Sequence, residues 1–109
     1  MKARTIENVN VIGVATTRPG EHWKMSLENM AVEVSTQAAR DADISLHSVD
    51  SLYVGNMLAG ILGEQSNLGA AMADCLGLDI PAYSVEGGCA SGGLALNAAI
   101  KDVLSGESE

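Results

Sequence analysis

The sequence predicts an α/β layered domain with a parallel sheet, and three observations carry that expectation. Runs rich in β-branched residues alternate with stretches of three-and-four apolar spacing, in the order strand, helix, strand, helix, strand, helix. The first run, "ENVNVIGVA", is apolar on both sides, as a strand in the middle of a parallel sheet is. The last helical stretch carries no charged residue between positions 87 and 100. A helix apolar all round is buried on all sides, so this one is expected inside a layered structure.

The elements follow in chain order. Residues 7 to 15 read as a central strand, with Val9 and Val11 on one face and Ile12 and Val14 supplying the other. After a loop containing Arg18, Pro19 and Gly20, Ser26 is placed to cap a first helix. Its apolar side is Leu27, Met30, Ala31, Val34 and Ala38; Glu28, Glu33, Arg40 and Asp41 take the wet side. "DSLYVGNM", residues 50 to 57, is the second strand. "AGILGEQSNLGAAMADCLG" reads as a loop entering a second helix, whose stripe is Leu68, Ala71, Met72, Cys75 and Leu76 and whose stop is Gly77. "PAYSVEG", residues 81 to 87, is a third short strand, and residues 89 to 104 form the third helix.

With sheet order 3-2-1, right-handed crossovers place the first two helices on one face of the sheet and the third on the other. No fourth strand follows. Strand 1 is then left at an edge although it reads as central, and an apolar edge is an aggregation hazard. Nothing in the chain remains to cover the third helix. Residues 1 to 109 are therefore expected to be an incomplete α/β unit, either the opening part of a larger protein or a subunit that must be completed by something else.

Composition narrows the function classes. Hydrophobic residues make up 47% of the chain but aromatics only 3%, with no Phe, so the core must be built from Val, Leu, Ile, Met and Ala. Fourteen acidic against six basic side chains give a net charge of -8, and the basic residues are scattered singly. With no basic stripe to neutralise phosphates, nucleic acid is not an expected partner, and neither is an anionic membrane surface. The N-terminus has no apolar stretch long enough for a signal-peptide core, and no run approaches transmembrane length. These features point to a cytoplasmic protein in which Cys75 and Cys89 are free thiols. Zinc is not expected, because the two cysteines stand 14 residues apart and neither has a second Cys or His at ligand spacing.

Cys89 is the candidate catalytic residue. It falls at the carboxyl end of the third strand and in the expected first turn of the third helix, where open α/β sheets place ligands and chemistry. A helix N-terminus offers free N–H groups and about half a positive charge, and both stabilise a thiolate. An ordinary thiol is only about 3% ionised at pH 7, whereas lowering its pKa to about 7 ionises half of it. Gly87, Gly88, Ala90, Gly92 and Gly93 leave the sulfur without bulky neighbours. Two roles stay open on these grounds, an accessible nucleophile and a small residue in a tight helix packing. Cys75, mid-helix on the apolar stripe, reads as structural.

The segment "VEGGCASGGLALNAAIKDVLSGE" resembles the active-site segment of thiolases, where a nucleophilic Cys followed by Ala or Gly, Ser and Gly opens a buried helix. The preceding "VDSLYVGNMLAGILGEQSNLGAAMADCLGLDIPAYSVEGG" is similar to the same region of archaeal and bacterial thiolases of the sterol-carrier-protein type. The resemblance spans essentially the whole chain and implies that Cys89 is the acylated nucleophile. It implies a fold of two similar α/β halves stacked in five layers, with this chain the first part of the N-terminal half. In the family the Cys attacks an acyl-CoA thioester, forms an acyl-enzyme and releases coenzyme A. A second acyl-CoA then condenses with it, or the reverse reaction cleaves a 3-ketoacyl-CoA, which places such enzymes in lipid metabolism. Coenzyme A thioesters enter as substrates, and no resident cofactor is implied.

Departures from the family pattern matter as much. Family members also use a His in a Gly-His-Pro motif and a second Cys in a Cys-x-Gly motif, both in the carboxyl-terminal half, and this sequence contains neither. His22 and His47 are not followed by Pro, and Cys75 falls in the wrong half to be the second cysteine. Gly87 and Gly88 stand where relatives more often carry Ala or another small residue. The resemblance therefore implies the amino-terminal part of an acetyl-CoA C-acetyltransferase or 3-ketoacyl-CoA thiolase, inactive by itself. The alternatives are a non-catalytic thiolase-like scaffold or partner subunit, and a related condensing enzyme of the ketoacyl synthase or hydroxymethylglutaryl-CoA synthase type. The family also implies a homodimer or larger oligomer, paired through the edge "AYSVE" with Tyr83 and Val85 on one face. Leu94, Leu96, Ile100, Val103 and Leu104 are expected in contacts with other chains or domains.

Overall fold

The computed structural model describes residues 9–109. Helix α1 (Leu27–Asp41) starts where the cap residue predicts, with the Ser26 hydroxyl accepting from the Asn29 N–H at 3.0 Å. Glu28 in its first turn and Arg40 in its last complement the helix dipole. A single 3-10 turn, Leu46–Ser48, leads into strand β1 (Leu52–Gly55). Then come α2 (Ala59–Leu62), α3 (Leu68–Cys75), β2 (Ala82–Val85) and α4 (Ser91–Ser105). Strand β1 pairs with β2 in parallel, Leu52 opposite Ala82 and Gly55 opposite Val85. The α/β class and the pairing of the second and third expected strands are thus observed.

Two short elements differ from expectation. The stretch "AGIL" is not loop but one helical turn, started by Asn56, whose side-chain oxygen accepts from the N–H groups of Leu58 at 2.9 Å and Ala59 at 2.7 Å. Helix α4 begins at Ser91, two residues later than predicted, which leaves Cys89 in the turn ahead of it.

The expected first strand is the main correction. Residues 7 and 8 lie outside the described residues, and residues 9–15 are in no sheet. The order 3-2-1 is therefore realised only in its 3-2 part, and Val11 and Ile12 are 71% and 65% exposed. The segment is held by the end of α1 instead. The Val14 N–H donates to the Asp41 carboxylate at 2.9 Å, and Gly13 lies so close to the helix that a Cβ there would stand 2.4 Å from the Ala38 carbonyl oxygen. A cavity of about 320 Å³ lies between α1, α3 and β1, bounded by Thr17, Met30, Tyr53 and Met72 among others. Apolarity on both faces shows what a segment can bury inside a sheet, but the ladder also needs covers on both faces. The chain has a competing local anchor at Asp41.

Glycines set the packing distances. Gly69, in the first turn of α3, presses on β2: a Cβ there would meet the Tyr83 backbone at 2.7 Å. Its N–H donates to the Ser84 hydroxyl at 2.8 Å, so the strand supplies the helix cap that Asn67 does not. On β1, Gly55 does the same for α4, with a Cβ there falling 2.4 Å from the Ser91 carbonyl oxygen. Ser84 lies opposite Val54 in the register, so it and Gly55 point to opposite faces. Helix α3 and its neighbour α1 therefore cover one face and α4 the other, as the crossover rule predicts. Tyr53 and Tyr83 stack across the strands with centroids 4.9 Å apart.

Buried apolar side chains among the described residues are few: Ala39, Leu68, Met72, Ala73 and Ala95. As expected of a chain with nothing left to cover it, α4 is open on its outer side. Leu96 is 55% exposed, and Leu94 and Leu104 are open as well, because α4 meets the strands along one side and no described element lies over the other. Near its end, Asp102 accepts from the hydroxyls of Ser51 at 2.7 Å and Ser108 at 2.8 Å, tying the helix to the start of β1. Those two hydrogen bonds hold the Asp102 carboxyl below its ordinary pKa.

Replacing Gly55 by Val is expected to destabilise the chain by about 1–3 kcal/mol, since the side chain has no room against α4. Gly60, with open space around it in α2, is the control: Gly60→Ala should be neutral or stabilising by up to about 1 kcal/mol. Urea midpoints followed by circular dichroism compare the two. The Asp102 bonds contribute stability that is present above the unfolded carboxyl pKa of about 3.9 and lost as pH falls through the lower folded value. The stability gap between wild type and Asp102→Asn should therefore narrow below about pH 4 in acid titrations of the melting temperature.

Candidate active site

The parallel strands end together at Gly55 and Val85, and the turn at residues 86–90 leaves from that edge. This is the end of the sheet at which open α/β structures place their chemistry. The turn is tight. The Ala90 N–H donates to the Gly87 carbonyl and the Ser91 N–H to the Gly88 carbonyl, each at 3.2 Å. Gly88 adopts φ 60°, the left-handed region in which a side chain is strained. Gly87 has no space for one, because a Cβ there would collide with the Leu94 side chain.

Side chains hold the turn from both sides. Ser91, 5% exposed, accepts from the Gly87 N–H at 3.0 Å and donates to the Gly88 carbonyl at 2.7 Å. From the solvent side, the Glu86 carboxylate accepts from the Gly88 N–H at 2.9 Å. Neither residue carries a signal for this task in the sequence. Ser91 lies within the quoted motif, but nothing in spacing shows that its hydroxyl turns back onto the two residues before the cysteine.

Cys89 itself is exposed. The structure places it at the strand end, as predicted, but ahead of α4 rather than within its first turn. The N–H groups of Cys89, Gly92 and Gly93 have no acceptor among the described residues, so they remain donors for an incoming oxygen. No side chain would crowd α4 there, since Cβ atoms at Gly92 and Gly93 would meet nothing within 4 Å. An exposed sulfur at a helix start beside unpaired donors can attack a carbonyl carbon and leave its oxygen near N–H groups.

The other candidates fall elsewhere. Cys75 is half-buried in α3, its thiol directed at the Met72 carbonyl at 3.1 Å. Burial, then the charges of Glu28 and Asp74, push its pKa up, which keeps it a protonated thiol. His22 is bonded through its ring to the Arg18 carbonyl at 2.6 Å, in the loop before α1. His47 precedes β1 and Cys89 follows β2, so parallel strands put them at opposite ends of the sheet.

A family model described as the thiolase N-terminal domain matches residues 9–109, which include every element above. The chain belongs to the thiolase family. It is 43% identical over 102 residues to an acetyl-CoA acetyltransferase of Methanothermobacter thermautotrophicus, covering 93% of this chain and 27% of that protein. It is 39% identical over 105 residues to an acetyl-CoA acetyltransferase of Methanocaldococcus jannaschii, covering 95% of this chain and again 27% of the relative. The chain thus spans about a quarter of the length of the curated relatives it matches. The resemblance read from "GGCASGG" and its upstream region agrees with both findings.

For this thiolase-family chain the two thiols should part clearly in chemical labelling. Brief iodoacetamide treatment at neutral pH is expected to modify Cys89 well before Cys75, the first exposed and the second held protonated by burial. Peptide mass spectrometry reads the ratio. Equal labelling in the folded chain, or preference for Cys75, would contradict this assignment of the site.

Proposed function

We propose that this chain carries the nucleophile of a thiolase-type acyltransferase acting on acyl-CoA thioesters, with Cys89 as the residue that is acylated. The observation that supports it most is the exposed thiol on a glycine turn at the carboxyl end of the parallel strands, immediately before α4. The relatives' name, acetyl-CoA acetyltransferase, favours acetyl-CoA as the first substrate to test.

In the proposed step the Cys89 thiolate attacks the thioester carbonyl carbon. The carbonyl oxygen gains charge, which backbone N–H groups of the turn can receive. Collapse breaks the bond to the coenzyme sulfur, so coenzyme A leaves as its thiolate and takes up a proton, and the acyl group stays on Cys89 as a new thioester. Between Arg40 and Lys101 there is no Lys or Arg, so this region meets the thioester end of the substrate and leaves the coenzyme's phosphates to other groups. Completing either condensation or thiolysis needs an acid/base partner. Neither His22 nor His47 is placed for it, and the chain by itself is proposed to accept an acyl group without turning over. Assembly is part of the same proposal: the outer edge of β2, with Tyr83 and Val85, would pair with a second copy about a two-fold axis.

Incubation with millimolar acetyl-CoA should place one acetyl group on Cys89, located by peptide mass spectrometry, with no continuing release of coenzyme A. The Cys89→Ala chain should remain unmodified. An unacylated Cys89 would overturn the nucleophile reading in favour of a non-catalytic scaffold. Sustained turnover above the Cys89→Ala control would overturn the claim that the chain lacks its acid/base partner.

A further inference from the structure

We infer that Glu86 and Ser91 are positioning residues that clamp the two glycines ahead of Cys89 and so present its thiol. The inference rests on the proposal that Cys89 is the nucleophile and says what holds it in place. Gly87 and Gly88 have the freest backbones available, and Gly88 adopts a left-handed conformation. A thiol carried on two such residues is disordered unless their polar groups are tied down. Three of those groups are bonded to just two side chains. The Ser91 hydroxyl joins the Gly87 N–H to the Gly88 carbonyl, and the Glu86 carboxylate takes the Gly88 N–H.

The two ties differ in kind, which makes them separable. Ser91 is the buried first residue of α4 and its backbone abuts Gly55, so its tie is anchored to the sheet. Glu86 is exposed and belongs to the turn, so its tie is local and its loss does not open the core. Its carboxylate also brings negative charge beside a sulfur that reacts as an anion. A mere activating role would not place a carboxylate there, whereas the bond to Gly88 gives it a task.

Alkylation rates of Cys89 by iodoacetamide test the clamp in the absence of any acyl-CoA. Glu86→Gln keeps an acceptor and removes the charge, and should react at or above the wild-type rate. Glu86→Ala removes the acceptor as well, and should react roughly three to ten times more slowly than Glu86→Gln, the factor expected for one net hydrogen bond. Ser91→Ala should be slower than wild type by a similar factor, with Cys75 still protected. If Cys75 becomes as reactive in Ser91→Ala as in urea, that variant has unfolded and the Gln and Ala pair at Glu86 decides alone. Equal rates for the Glu86 pair, or a wild-type rate in folded Ser91→Ala, overturn the proposal. A chain that shows these ratios yet takes no acetyl group from acetyl-CoA would instead sink the acyltransferase reading and leave the clamp standing.

Discussion

The contact on which the rest of the structure depends is the approach of α4's first turn to the end of β1 at Gly55. Backbone meets backbone there without an intervening side chain, at a distance any Cβ would forbid. Ser91 is thereby pressed into the interior, where its hydroxyl must find partners, because an unpaired buried hydroxyl costs about 1–3 kcal/mol. It finds them in the polar groups of Gly87 and Gly88. A packing constraint on one face of the sheet thus becomes a conformational constraint on the cysteine turn at its end.

The opposite face is built by the same device. Gly69 lets α3 lie on the backbone of β2, and Ser84 caps the helix from the strand. Because both contacts fasten helix starts to strand backbones, the two helices enter on opposite faces of one small parallel sheet. Their starts flank the end of the sheet from which Cys89 projects. The exposed thiol and the unpaired donors at α4 are consequences of how the layers are spaced, and the half-buried Cys75 shows the other fate of a thiol in this scaffold.

The surface left open has a pattern of its own. One side of α4, the segment at residues 11–14 and the short apolar helix α2 all expose aliphatic side chains, with Ile61 and Leu62 each about three-quarters accessible. These side chains stand beside an interior in which few residues are buried. The site region is also free of Lys and Arg from position 41 to position 100. A surface with no Lys or Arg around the Cys89 turn is poorly suited to holding phosphates.

Local sequence determined much of this protein. Ser26 caps α1 through its own hydroxyl, Gly77 ends the second expected helix with φ 69°, and the β-branched and aromatic run at Leu52, Tyr53 and Val54 makes a strand. "GGCASGG" carried the family and pointed to Cys89, because glycines beside a thiol at a strand-to-helix junction are readable without coordinates. What escaped the sequence depends on through-space partners. Residues 9–15 have the composition of a central strand, yet Asp41 and the close approach of Gly13 to Ala38 hold them on α1. Ser91 and Glu86 carry no sequence signal for their task, because a hydroxyl or carboxylate becomes a clamp only when the chain folds back to bring an N–H or carbonyl within 3 Å. The sequence by itself determined the α/β class, the paired second and third strands, the family and the position of Cys89 at a strand-to-helix junction; tertiary structure alone decided which polar groups those residues would meet, because hydrogen bonds depend on distance and direction, which spacing along a chain does not specify.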